Sequence, residues 1–255
     1  MMQVSDLDLK IWRGTAQAGE LVSYRVPVRE GMVVLDAVLW VQANLATDLA
    51  VRWNCKAAKC GSCSAEVNGF PRLMCKSPIA EYGSSLTVGP MKTFPLIKDL
   101  VTDVSWNYQV NKEIPPFTPN EKDLSSSEPW RMQQRDVDRV IEFRKCIECF
   151  LCQDVCHVLR EHASTQFYGP RFMIRIAGLE MHPKDTLDRR PLLRGKAGVG
   201  YCNITKCCTE VCPEHIKITD NAIIPLKERM DDAYFDPIRW ALRRLGGNPK
   251  DNQKE

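Results

Sequence analysis

Leu7, Leu9 and Ile11 alternate with other residues, and Val22, Tyr24, Val26 and Val28 alternate again after the stretch Gly14 to Glu20. A period of two is that of a strand with one buried face, so these segments predict an antiparallel hairpin. From Val33 to Leu45 the period changes. Val34, Leu35, Val38, Leu39, Val41 and Leu45 recur at helical intervals, which predicts one amphipathic helix lying across a small sheet. Asn68-Gly69 marks a tight turn between Ala65-Glu66-Val67 and Arg72-Leu73-Met74, because both residues tolerate positive φ. Leu86 and Val88 supply a closing strand.

Strand, strand, helix and short strands, with cysteines after the helix, predict a β-grasp ferredoxin-like domain over residues 1–105. Pro115, Pro116, Pro119 and the run Ser125-Ser126-Ser127 then give a composition that neither helix nor strand uses. Residues 106–135 read as a linker. Beyond it Val137, Val140 and Ile141 share one helical face, Phe172, Ile176 and Leu179 another, and Ile223 to Leu245 adds helical material despite Pro225 and Pro237. The fold class expected is α+β, with a mainly helical, bacterial-ferredoxin-like domain over residues 136–245 and a polar tail over 246–255.

At 255 residues the chain has room for two domains. Its formal charge of +3 is carried by scattered residues, with no basic stripe interleaved with aromatics, so nucleic acid is not an expected partner. No apolar run approaches the roughly 18 residues needed to span a bilayer, and Met1-Met2-Gln3-Val4-Ser5-Asp6 does not read as a signal peptide.

Twelve cysteines dominate the chemistry. Cys55-x4-Cys60-x2-Cys63 followed by Cys75 has plant-type [2Fe-2S] spacing, and Cys146-x2-Cys149-x2-Cys152-x3-Cys156 has the spacing of a bacterial [4Fe-4S] run. Iron needs soft anionic sulfur, and a cysteine every third residue lets one tight loop aim several thiolates at one cluster. The third group, Cys202-x5-Cys208-x3-Cys212-Pro213, is a similar run in which Thr205 stands where a cysteine belongs. In two-cluster ferredoxins the fourth cysteine of each run crosses to the other cluster. Cys146, Cys149, Cys152 and Cys212 are then expected to hold a [4Fe-4S] cluster, and Cys156, Cys202 and Cys208 a three-thiolate [3Fe-4S] cluster. Oxidised clusters of these three kinds carry roughly −2 each, which takes the loaded chain to about −3.

Competing readings of the same residues are weaker. Disulfides belong to small secreted domains, and four cysteines at 2-2-3 spacing are not the paired CxxC pattern of a zinc site. Cys207 fits no ligand slot and reads as a small buried neighbour of Cys208. His157 follows a ligand cysteine directly, whereas His162, His182 and His215 have no partner at ligand spacing. Gly195-Lys196-Ala197-Gly198-Val199-Gly200 lacks the ending of a phosphate loop and reads as a surface loop.

Cluster order, spacing, the gap at Thr205, and the phrases Arg144-Lys145-Cys146-Ile147-Glu148-Cys149 and Val211-Cys212-Pro213 together resemble the iron–sulfur subunit of succinate dehydrogenase and fumarate reductase, in wording like the actinobacterial members. The resemblance runs from Leu7 to about Leu245. It implies a flavoprotein partner with FAD facing Cys55, Cys60, Cys63 and Cys75, and an integral membrane anchor with a quinone site facing Cys156, Cys202 and Cys208. The chain itself would be peripheral on the cytoplasmic face of the cell membrane. It implies oxidoreductase activity in the complex, with no substrate site on this chain. Where many members have Cys-Pro and a tryptophan-containing stretch this chain has Cys156-His157-Val158-Leu159, and it has Asn203 where they have histidine. His157, Asn203 and Thr205 are therefore the candidate quinone-side residues. Other readings are a quinol-dependent fumarate reductase subunit, the iron–sulfur subunit of another flavin dehydrogenase, and a free ferredoxin-like carrier.

Overall fold

The alternating segments form the hairpin expected of them. In this computed structural model, which describes residues 6–125, 127–162, 166–234 and 237, β1 (Asp6–Gly14) pairs antiparallel with β2 (Gly19–Pro27) from Asp6 opposite Pro27 to Gly14 opposite Gly19. Leu7, Leu9, Ile11 and Val26 are buried on one face. β3 (Ser64–Val67) and β4 (Phe70–Leu73) flank Asn68-Gly69, and Asn68 has the positive φ of 49° that the turn needs. β5 (Ser85–Gly89) runs parallel to β1 and antiparallel to β3, completing a sheet of order β2-β1-β5-β3-β4. β6 (Leu96–Lys98) and β7 (Val101–Thr102) form a separate ribbon.

Helix α1 (Val34–Asn44) covers this sheet with Val34, Leu35, Ala37, Val38 and Val41. Asp36 accepts the amide of Val33 at 3.2 Å and so satisfies a donor that the first turn leaves open. Leu45, counted on the apolar face by periodicity, lies just past the helix and is 53% exposed.

The proline-rich stretch is fastened along its length. Helix α2 (Ser105–Glu113), inside the segment read as linker, buries Val110, and Ile114 follows it into the core of the second half. Arg189, buried and paired with Asp185 at 2.9 Å, donates to the carbonyls of Pro115 and Pro116. These prolines cannot pair in a ladder, so a guanidinium with five donors takes their carbonyls instead.

The second half is helical, as expected. Pro170–Glu180 and Ile224–Tyr234 are its longest described helices, joined to the core through Phe172, Ile176, Leu226 and Met230. In the helix Gln134–Ile141 only Val140 of the three expected apolar positions is fully buried, and Ile141 is exposed. Residues 246–255, read as a tail, lie outside the described residues. The Gly195–Gly200 segment differs from expectation. Ala197 and Val199 are buried, and a Cβ on Gly198 would meet the carbonyl of Gln166 at 1.8 Å, so the stretch is packed rather than a surface loop.

The two halves share side chains. Leu151 and Cys149, from the second half, are buried in the sheet's core. Glu66 on β3 is almost fully buried and pairs with Arg160 at 2.5 Å and Lys92 at 2.6 Å. Asp154 accepts the amide of Thr93 at 3.0 Å, and burial pushes its carboxyl up to about 6.

Candidate metal centres

Backbone conformation marks the cysteine loops. Among the described residues nine non-glycine positions have positive φ, and six of them, Lys56, Ala58, Glu148, Phe150, Ile204 and Lys206, lie inside the three cysteine runs. A left-handed residue is uncommon, and for β-branched Ile204 at φ 60° it is strained, so the strain is concentrated where cysteines converge. Alternation of left- and right-handed residues turns successive amides toward one point and makes an anion nest. The amides of Ala57 and Lys59 accordingly donate to Cys55 Sγ at 3.3 and 3.4 Å, and that of Cys55 to Cys60 Sγ at 3.5 Å.

The second and third runs are copies of one device. Glu148 and Phe150, two and four residues after Cys146, have φ of 57° and 60°, and Ile204 and Lys206, two and four after Cys202, have 60° and 63°. A short helix follows each, Leu151–Asp154 and Cys207–Glu210. Cys146, Cys152 and Cys156 then correspond to Cys202, Cys208 and Cys212, and Thr205 occupies the place of Cys149. The gap read from spacing is a gap in space.

The fourth cysteines cross. Cys146, Cys149, Cys152 and Cys212 line one cavity together with Phe150 and Ile174. Burial pushes the Cys149 thiol up to about 12, and Cys146 and Cys212 beside it act in the same direction. Cys156 meets Cys202 and Cys208 instead. Burial pushes Cys156 up to about 11 and Cys208 to about 12; Cys207 and Cys202 add to the push on both, and Cys156 adds to that on Cys208. In the first loop burial raises Cys63 to about 12, with Cys75 and Cys60 beside it. Cys60 is partly desolvated as well, but donors from Ser62 and Cys55 bring it down to about 6.

These donor sets fit iron–sulfur clusters. Thiols raised this far deprotonate only against cationic metal, and amides aimed at sulfur are what a cluster's negative charge requires. Tetrahedral zinc would draw its sulfurs to about 3.8 Å from one another, given a Zn–S bond of about 2.3 Å. Among the described residues no three His, Cys, Asp or Glu side chains converge on a single-ion site. A cubane, with a thiolate at each iron corner, needs a wider frame.

The three sets touch in sequence. Gly61 of the first loop, at φ 69°, lies so close to Cys149 that a Cβ there would sit 2.6 Å from its Cα. Ser64 Oγ is 2.8 Å from the Cys149 carbonyl, which it holds against the first loop. Lys76 donates to the carbonyl of Pro213 at 2.9 Å and Lys59 pairs with Glu214 at 3.3 Å. The helix Leu151–Asp154, which carries Cys152, in turn packs against Cys207–Glu210, which carries Cys208 of the third set.

His157, Asn203 and Thr205 are all exposed, each close in sequence to a cysteine of the third set, and Tyr201 and Ile204 beside Cys202 are exposed as well. Cys207 corrects the sequence reading. It is half-buried beside the third set, where it adds to the upward push on Cys156, Cys202 and Cys208, with its Sγ 3.3 Å from Thr205 Oγ1, whereas Cys208 turns into the core toward Thr219. Sequence reasoning missed Arg171, buried on the wall of the four-cysteine cavity, and Gln153, buried where its Oε1 accepts the Arg171 amide. A charged residue in the apolar run Pro170-Arg171-Phe172-Met173-Ile174 was the available signal for the first.

Residues 8–109 match the family described as 2Fe-2S iron-sulfur cluster binding domain, and residues 142–216 the family described as 4Fe-4S dicluster domain. The fumarate reductase iron-sulfur subunit of Haemophilus influenzae is 30% identical over 213 residues, 78% of this chain and 82% of that protein. The fumarate reductase iron-sulfur subunit of Mycobacterium tuberculosis is 29% identical over 202 residues, 76% of this chain and 79% of that protein. Among solved structures, a chain of the Mycobacterium smegmatis Sdh1 complex in the apo form is 59% identical, with TM-score 0.88, covering 92% of this chain and 99% of that one.

Proposed function

The chain belongs to the family of iron–sulfur subunits of succinate dehydrogenase and fumarate reductase, and we propose that it conducts electrons from the FAD of a flavoprotein subunit to quinone at a membrane anchor. It is an electron-transfer subunit with a 2Fe-2S domain followed by a 4Fe-4S dicluster domain.

In this reading Cys55, Cys60, Cys63 and Cys75 hold a [2Fe-2S] cluster, Cys146, Cys149, Cys152 and Cys212 a [4Fe-4S] cluster, and Cys156, Cys202 and Cys208 a [3Fe-4S] cluster. When bound, such clusters take up and release single electrons. The chain's own residues supply the rest. Nest amides stabilise negative charge on sulfur, the buried walls exclude water, and Gly61 allows the first loop to approach the second. The observation that carries the proposal is the order of contact, first loop to Cys149 and the helix of Cys152 to the helix of Cys208.

Among the described residues no helix is long and apolar enough to cross a membrane, so attachment to the cytoplasmic face falls to the anchor. The exposed residues His157, Asn203 and Thr205 are on the side turned to quinone. Succinate oxidation is favoured as the direction, since the 59% identical structure is of an Sdh1 complex.

The test is rapid-freeze EPR of the intact complex after mixing with succinate. In the wild type all three signals are expected to change within turnover, whereas Cys149→Ser should leave the first centre reducible and the third starved of electrons. Normal reduction of the third centre without a functioning second one would overturn the order. Direction is read by comparing succinate:quinone with quinol:fumarate turnover on the same preparation.

A further inference from the structure

We infer that Arg171 is a positioning and tuning residue of the four-cysteine centre, donating its Nε–H into the cavity and making the cluster there easier to reduce. This rests on the assignment of Cys146, Cys149, Cys152 and Cys212 to a [4Fe-4S] cluster.

Arg171 stands at the start of the helix Pro170–Glu180 and is 7% exposed. It lines the cavity formed by the four cysteines. Its amide and one end of its guanidinium are engaged. The backbone amide donates to Gln153 Oε1 at 3.1 Å, and Nη2 is bound to Glu148 of the Cys146-Ile147-Glu148-Cys149 loop. Nε alone is buried without a partner. A buried guanidinium N–H left unmatched is costly, and the cavity that Arg171 lines has room for an acceptor. The acceptors that a cluster places there are sulfide and thiolate sulfur.

The charges around the cavity agree. Glu214, also on the cavity wall, is paired with Lys59, and Glu148 is paired with Arg171 itself. Arg171 is then the donor with capacity to spare. Donors to cluster sulfur stabilise the reduced, more negative state and raise the potential. The Glu148 pair fixes the guanidinium plane, which is the positioning part of the role.

The experiment is a redox titration of the intact membrane complex, following the EPR signal of the reduced four-iron centre, with the other two centres as internal references. Arg171→Lys keeps the charge and the pair with Glu148 but removes Nε. Arg171→Gln is made in a Glu148→Gln background, so that no carboxylate is stranded, and is compared with Glu148→Gln alone. Arg175→Gln, on the next turn and lining a neighbouring pocket, is the control for a general field effect.

Both Arg171 variants are expected to lower the midpoint, the Gln variant by roughly a tenfold weaker hold on the electron, about 59 mV for a one-electron couple. The other two midpoints should stay put. An unmoved four-iron midpoint in both variants, or an equal fall in Arg175→Gln, would overturn the inference. Failure of the underlying assignment looks different, since Cys212→Ser would then leave the four-iron signal intact.

Discussion

Gly61 and Cys149 are in contact through their backbones, one from the loop that follows the sheet's helix and one from the second cysteine run. A Cβ at Gly61 would lie 2.6 Å from Cys149 Cα, and the φ of 69° is itself unfavourable for any side chain. Gly61→Ala is expected to destabilise the loaded protein by about 2–4 kcal/mol, left-handed strain and backbone overlap together. Because the loops must separate, electron transfer between the first and second centres should also slow. Thermal unfolding and flash-reduction kinetics check the two parts, and wild-type values for both would show the contact to be dispensable.

Thr205 is predicted to be why the third centre has three irons. The matched backbone of the two runs puts its side chain where Cys149 stands in the other copy. Thr205→Cys should convert part of the centre to [4Fe-4S], lower its midpoint by on the order of 59 mV or more, and slow delivery to quinone. Full retention of the oxidised three-iron EPR signal would defeat this account.

Crossed pairing gives a prediction that chain order alone does not. Cys212→Ser, although in the last run, should damage the four-iron centre, and Cys156→Ser, although in the second run, should damage the three-iron centre. Iron and acid-labile sulfide counts with EPR on each variant provide the reading. Loss of the opposite centre in each would reverse the assignment.

How much of this is legible in the chain depends on what each residue type can do alone. Alternation around Leu9 and Val26 and the Asn68-Gly69 turn specify the hairpins, because period and positive φ are local properties. Cysteine spacing specifies the runs for the same reason. Val110 falls in a stretch that reads as linker because its helix is short and neighbours Pro115 and Pro116, and its burial depends on residues far along the chain. Cys207 and Cys208 are identical in type, and only the register of the helix Cys207–Glu210 decides which one turns inward. Arg171 shows in the chain only as a charge inside an apolar run, and that its buried Nε has no partner depends on what folds around it, which no spacing records.

Arg160 neutralises a buried junction between the halves. It pairs with Glu66 at 2.5 Å and lies 3.6 Å from Asp154, both carboxylates being nearly inaccessible to water. Arg160→Met should cost about 3–5 kcal/mol, since it leaves buried carboxylates under-compensated. Adding Glu66→Gln should recover part of that loss. Chemical denaturation of the loaded chain measures both, and a loss below about 1 kcal/mol, the scale of an exposed pair, would place the junction in solvent.

Substrate chemistry is expected to depend on partners. The sequence has no Gly-x-Gly-x-x-Gly turn after a strand, so the flavin that carries the reaction is proposed to sit on the partner subunit. The isolated, cluster-loaded chain should therefore accept electrons from a chemical reductant yet neither oxidise succinate nor reduce fumarate. Adding the flavoprotein should restore succinate oxidation with an artificial dye, because the first centre then has a donor. Quinone reduction should need the membrane anchor as well, because the quinone site is proposed to lie at that anchor. Turnover of succinate by the purified chain without flavin would overturn the division of labour proposed for it.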